Sequence, residues 1–140
     1  MQRPTLKSPN LLLVPLLAAV CLLSACAGPL PKPDPKEAWV GLRDDNQNVV
    51  LAEKVDGKNI NDGRFFEVQP GKHDLQVMLY DERTNDDTQT CSTDINYQGF
   101  KAGEHYRVVE SDLGFRLSAN LQDAHGAVLA HSGPLHCTAG

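Results

Sequence analysis

The chain has 140 residues, with 13 Lys+Arg against 18 Asp+Glu and a formal net charge of −5 at pH 7. Its first 26 residues hold two bases, Arg3 and Lys7, and no acid, so the remainder carries 11 bases against 18 acids, a balance of −7. That sign excludes phosphate-backbone recognition, which needs a basic surface, so no nucleic-acid partner is expected, and the length suits about one domain.

Residues 1–25 read as a targeting segment. Arg3 and Lys7 form a short basic start, and Leu11 to Leu23 is an apolar run interrupted by Pro15. The run is too short to span a hydrocarbon core, which takes about 20 residues. A basic start, a short apolar centre and small residues at its end describe a secretory signal. The end reads Leu23-Ser24-Ala25-Cys26 and resembles the lipobox of bacterial lipoproteins. The resemblance implies a diacylglyceryl group on Cys26, cleavage before it and acylation of the new amino terminus, so that Cys26 bears three chains. Stable anchoring needs two such signals, so attachment to membrane lipid would be permanent. In that family an Asp directly after the Cys often marks retention at the inner membrane. Ala27 stands here, which implies the outer membrane, with the domain facing the periplasm.

Residues 26–36 read as the lipidated Cys and a Pro-rich tether. Pro29, Pro31, Pro33 and Pro35 alternate with other residues, and each fixes its own φ and pushes its predecessor toward extended geometry. The expectation is a semi-rigid polyproline II spacer rising about 3.1 Å per residue.

From residue 37 to 140 the pattern is that of strands. Ala38–Arg43 and Asn48–Val55 are apolar-rich pieces flanking Asp44-Asp45-Asn46. Phe66 and Val68, then Leu75, Val77 and Leu79, then Cys91, Ile95 and Tyr97 each keep one parity. So do Tyr106 and Val108, and Leu113, Phe115, Leu117, Ala119 and Leu121. Alternation of this kind marks half-buried strands. Ala127–Ala130 closes the set. The turn dipeptides Asp56-Gly57, Asp62-Gly63, Pro70-Gly71 and Ala102-Gly103, with the segment Asp123 to Gly126, separate these pieces. No window after residue 36 has helical period. The fold class is therefore all-β, an antiparallel β-sandwich of seven to eight short strands.

With Cys21 in the leader and Cys26 lipidated, Cys91 and Cys137 remain. In an exported, oxidising compartment a leftover pair reads as a disulfide. The placement of Cys91 on the inward parity agrees with a bridge to the C-terminus.

The stretch from Asp56-Gly57-Lys58 through Val68-Gln69-Pro70-Gly71-Lys72-His73-Asp74-Leu75-Gln76-Val77 is similar to the PEGA-type envelope domain, and Phe100 to Val108 resembles small exported β-sandwich lipoproteins. The resemblance spans residues 56–108 and implies a sandwich with a binding or scaffolding role at the envelope. It brings no catalytic residues with it.

Motifs for chemistry are few. The chain contains no Gly-x-Ser-x-Gly, phosphate loop, dinucleotide fingerprint or His-Glu-x-x-His, so no cofactor is expected. Asp44, Asn46 and Asn48 have the spacing of the first ligands of a calcium loop. Val49 at position six and Val55 at position twelve break that pattern, leaving an acidic hairpin tip. His131 and His136 beside Cys137 suggest a zinc corner, but a bridged Cys137 cannot be a ligand and zinc needs three or four. No metal is expected. Residues 81–87 read as an acidic, solvated loop. Trp39, Phe65 and Tyr80 are candidates for a less buried aromatic face able to stack on sugars. The reading that follows is a noncatalytic envelope interaction or scaffold module whose partner is an envelope protein or peptidoglycan. The alternative is a small envelope hydrolase, or an inhibitor of an envelope enzyme, using Asp123, His125 and His131.

Overall fold

The alternation in the sequence becomes ten strands in the computed structural model, which describes residues 28–43, 49–84, 87–113 and 116–139. They are β1 (Ala38–Arg43), β2 (Val49–Val55), β3 (Lys58–Asn59), β4 (Phe65–Val68), β5 (Gly71–Thr84), β6 (Asp87–Phe100), β7 (His105–Leu113), β8 (Arg116–Asp123), β9 (Val128–His131) and β10 (His136–Ala139). One sheet has the order β4-β1-β7-β8-β9 and the other β10-β6-β5-β2-β3. The all-β sandwich expected from the sequence is thus the observed architecture, with more strands than the expected seven to eight.

The core lies between the sheets and is built from the inward parity of each strand. Ala38 and Val40, Phe66 and Val68, Val108, and Leu117, Ala119 and Leu121 come from the first sheet. Val50 and Ala52, Leu75, Val77 and Leu79, and Cys91 and Ile95 come from the second. Tyr97, Phe100 and Tyr106 form an aromatic end to this core. Phe100 meets Tyr97 and Tyr106 edge to face, with centroids 4.9 and 5.1 Å apart, a favoured geometry for aromatic pairs. The Tyr106 hydroxyl accepts a hydrogen bond from the Lys101 N–H at 3.1 Å, pinning the corner where the chain leaves β6 for β7.

Three features depart from simple alternation. The first is a bulge in β2: Ala52 pairs with Val77 and Lys54 with Gln76, so Glu53 is the extra residue. A one-residue shift flips every later side chain to the other face. The bulge therefore brings Val55 onto the core opposite Leu75, and leaves Lys54 off it. The second is parallel pairing of β1 with β7, Trp39 opposite His105 through Arg43 opposite Val109, among otherwise antiparallel ladders of the described residues. The third is the acidic segment 81–87. Its described backbone is not a loop. β5 and β6 stay paired through Asp81 with Gln89, Glu82 with Thr88 and Thr84 with Asp87.

Two turns follow their residues closely. Asp56 and Gly57 have φ of 50° and 78°, the positive pair of a type I′ hairpin, and they join β2 to β3 where Val55 faces Lys58. Asp123 closes the β8–β9 hairpin: its Oδ1 accepts the N–H groups of His125 and Ala127, each at 2.9 Å. Cys91 and Cys137 sit opposite one another on β6 and β10 and are joined by a disulfide.

The compact unit begins at Pro33. Residues 33–36, which the sequence places in the spacer, are tied to the sandwich: the Asp34 N–H donates to Glu67 Oε2 at 3.0 Å and the Glu37 N–H to the Asp34 carbonyl at 3.1 Å. Cys26, Asp44, Asn46 and Asn48 lie outside the described residues.

Candidate functional site: an aromatic groove at the start of the domain

Because Ala38 and Val40 point inward on β1, Trp39 points outward. Phe66 and Val68 on β4 do the same for Phe65. The register puts Gly41 opposite Phe65 and Trp39 opposite Glu67. Gly41 has no side chain to fill the space between them, and a Cβ there would lie 3.9 Å from the indole Nε1. The indole stacks on Phe65, with centroids 4.2 Å apart and planes 10° from parallel. Both rings remain half-buried.

Beside the stack is a cavity of about 290 Å³. Pro33 and Pro35 line it with Trp39, His105 and the acidic residues Asp34, Glu37 and Glu104; Asp34 Oδ1 also accepts the Lys36 N–H at 2.8 Å. Phe65 does not line it, so the cavity meets the indole away from Phe65. Backbone bonds fix these parts: the Trp39 N–H donates to the Glu104 carbonyl at 3.1 Å and the Gly103 N–H to the Glu37 carbonyl at 2.9 Å. Gly103 has φ 75°, and a Cβ there would lie 3.4 Å from the Pro35 carbonyl oxygen, so the tight β6–β7 turn and the close Pro wall both favour glycine. Gln69 Nε2 donates to Glu37 Oε1. Burial, followed by the hydrogen bond and charge of neighbouring Glu67, pushes the Glu37 carboxyl above the usual carboxylate range, and the Asp34 charge adds to this. Among the described residues, no Lys or Arg lines the cavity.

Of the three aromatic candidates, the fold brings Trp39 and Phe65 together. Tyr80 sits on β5 in the other sheet, opposite Val49 and Thr90. Asp123, His125 and His131 do not assemble a relay among the described residues. The Asp123 carboxylate caps its own turn, and the backbone bond from Ala127, then that from His125, holds it below the usual range. His131 Nδ1 instead meets Asn120 Oδ1 at 2.7 Å. Among the described residues there is no group of three or more His, Cys, Asp or Glu placed to hold a metal.

Sequence reasoning missed two sites. His73 Nδ1 lies 2.7 Å from Asp56 Oδ2, and Asp56 Oδ1 accepts the Asp74 N–H at 2.9 Å. A second cavity, of about 550 Å³, opens on β10-β6-β5-β2, where the bulge leaves Glu53 and Lys54 side by side in its lining with Gln76, Ser92 and His136. The acidic wall of the Trp39 groove also escaped notice, because Asp34, Glu37 and Glu104 converge only through the parallel β1–β7 pairing. No family model, curated protein or solved structure matches the chain.

Proposed function

We propose that this protein is a noncatalytic interaction module of the bacterial envelope, anchored in the outer membrane through acylated Cys26 and facing the periplasm. Its contact surface is the Trp39–Phe65 groove, and its partner is an envelope protein or cell-wall glycan. The anchor rests on the basic start, the short apolar run and the Leu-Ser-Ala-Cys box. A disulfide-stapled sandwich is consistent with an oxidising compartment. One observation carries the choice of surface. Two large aromatic side chains are stacked on the outside of a sheet beside a concave space, although core positions were available one residue away on each strand.

Two experiments test this. Replacing Cys26 with Ala should move the protein from the membrane to the soluble fraction, and persistence in membranes would sink the anchor. Full-length protein in detergent should co-sediment with purified sacculi or, if the partner is a protein, form a discrete adduct in cells through a photo-crosslinking residue at position 65. Trp39→Ala should abolish whichever signal is seen while the protein stays folded, its melting temperature falling by about 4–8 °C for the lost stack. Equal signal from Trp39→Ala would remove the groove as the contact surface.

A further inference from the structure

The groove has a charge as well as a shape. We propose that it takes a cationic side chain, lysine or arginine, carried on an extended segment of a partner protein. This rests on the groove being the contact surface and adds the chemistry of what fills it.

Three observations lead there. Asp34, Glu37 and Glu104 line the space beside the Trp39 indole, and no Lys or Arg among the described residues lines it. An ammonium or guanidinium over an indole is attracted by the negative face of the ring, and carboxylates around it supply charge-assisted hydrogen bonds. A neutral glycan would use the ring and leave this concentration of charge unmatched. Next, the carboxylates crowd one another: Glu67 accepts the Asp34 N–H and lies close enough to Glu37 to disfavour its ionised form. Burial, Glu67 and Asp34 act to raise Glu37, and the Gln69 hydrogen bond acts to lower it. A bound cation would relieve that repulsion. Finally, about 290 Å³ lies just below the range of small-molecule pockets, roughly 300 to 1,000 Å³. It holds one side chain, with Phe65 outside the cavity as a shelf for an apolar neighbour in the same segment. A peptide supplies both groups, whereas a free amine would leave Phe65 unused.

Trp39 is the only tryptophan in the chain, so its fluorescence reports this site directly. The full-length protein in detergent would be titrated with acetyl-Leu-Arg-Leu-amide, with the same peptide carrying citrulline, which keeps the shape of arginine without its charge, and with chitotriose. The arginine peptide should give a saturable change that weakens with added salt. The citrulline peptide should bind about tenfold or more weakly, a loss typical of a desolvated cation site. Glu104→Gln and, separately, Glu37→Gln should each weaken the arginine peptide several-fold, with melting temperatures no lower than wild type. Equal binding of the arginine and citrulline peptides would overturn the inference, as would indifference to both Glu variants. Saturation by chitotriose alone would overturn the cation while keeping the groove as a contact surface. Silence from all three probes would also overturn the cation, and the Trp39→Ala co-sedimentation and crosslinking results would still decide the groove itself.

Discussion

Breaking the Cys91–Cys137 bridge should be the most costly single change that leaves the core intact. The cysteines are 46 residues apart in sequence, and closing a loop of that length in the unfolded chain is worth about 4 kcal/mol on the chain-entropy account. Domains of this size have only about 5–15 kcal/mol in total. With roughly 4–8 °C lost per kcal/mol, the melting temperature should fall by about 15–30 °C. The structure adds a location for the damage. β10 is the edge of its sheet, pairs only with β6 over four residues, and has His136, Cys137 and Thr138 exposed. Without the bridge little holds it. The suitable variant is Cys137→Ala, because Cys91 is 2 % exposed and its thiol sits in the core as a small apolar group. Protein made in an oxidising compartment would be compared with the variant by thermal melting and amide hydrogen exchange. We expect the large drop in melting temperature and fast exchange at 136–139. A variant melting within about 5 °C of wild type would refute the loop-closure argument. A large drop with 136–139 still protected would refute the assignment of β10 as the weak edge.

Three other expectations test separate parts of the fold. Phe65 and Phe66 are neighbours of opposite parity: Phe66→Ala, 1 % exposed, should cost about 3–5 kcal/mol in urea unfolding, and Phe65→Ala only about 1 kcal/mol, mainly its stacking on Trp39. Deleting Glu53 removes the bulge but leaves Lys54 opposite Gln76 and Val55 opposite Leu75 in regular register; it should cost only about 1 kcal/mol, for the bond the Ile60 N–H makes to the Glu53 carbonyl, and Glu53→Ala should stay within about 0.5 kcal/mol. The pH dependence has two opposed parts. Asp56 is held below its ordinary value by the Asp74 N–H and then by His73, so its contribution is present above the unfolded carboxyl pKa and is lost as pH falls through the folded value. Glu37 is raised, so its ionised form opposes folding at neutral pH and the penalty disappears in acid. Asp56→Asn should flatten the acid end of the stability curve, and Glu37→Gln should raise stability near neutral pH without changing it in acid. Urea midpoints across the acid range would show the reverse pattern if either sign is wrong.

Inward positions were legible in the sequence because burial imposes a two-residue period. Leu75, Val77 and Leu79, and Leu117, Ala119 and Leu121, are buried as that period requires, while the side chains of Leu113 and Phe115 lie outside the described part. What failed to show was set by partners far along the chain. Residues 81–87 looked like a loop because Asp, Glu and Asn have low strand propensity, yet a long hairpin ladder carries such residues wherever the backbone is paired. β10 is four residues of His, Cys, Thr and Ala with no alternation to detect; the bridge to Cys91 was its trace in the sequence. The outward aromatics of the groove were visible one at a time. Their meeting was not, since stacking depends on the β1–β4 register, and the acidic wall needs β1 beside β7, 66 residues apart at Trp39 and His105.

The position of the groove constrains its partner. Its Pro wall is the very start of the compact unit. The seven residues 27–33 span at most about 25 Å even when fully extended. With Cys26 in the lipid, as proposed, a partner entering the groove works within about that distance of the membrane. The sequence after Cys26 carries −7, and with that anchor anionic headgroups would repel such a domain over a Debye length of about 8–10 Å, favouring a groove held off the surface and open to a cation. Inserting a second copy of residues 27–32 separates these two effects. Binding of the arginine peptide in detergent should be unchanged, since the groove is intact. Crosslinking in cells should fall if the partner is held at the same membrane, because the longer stalk lowers the effective concentration of groove and partner for each other. An undiminished crosslink would place the partner in the periplasm away from the lipid.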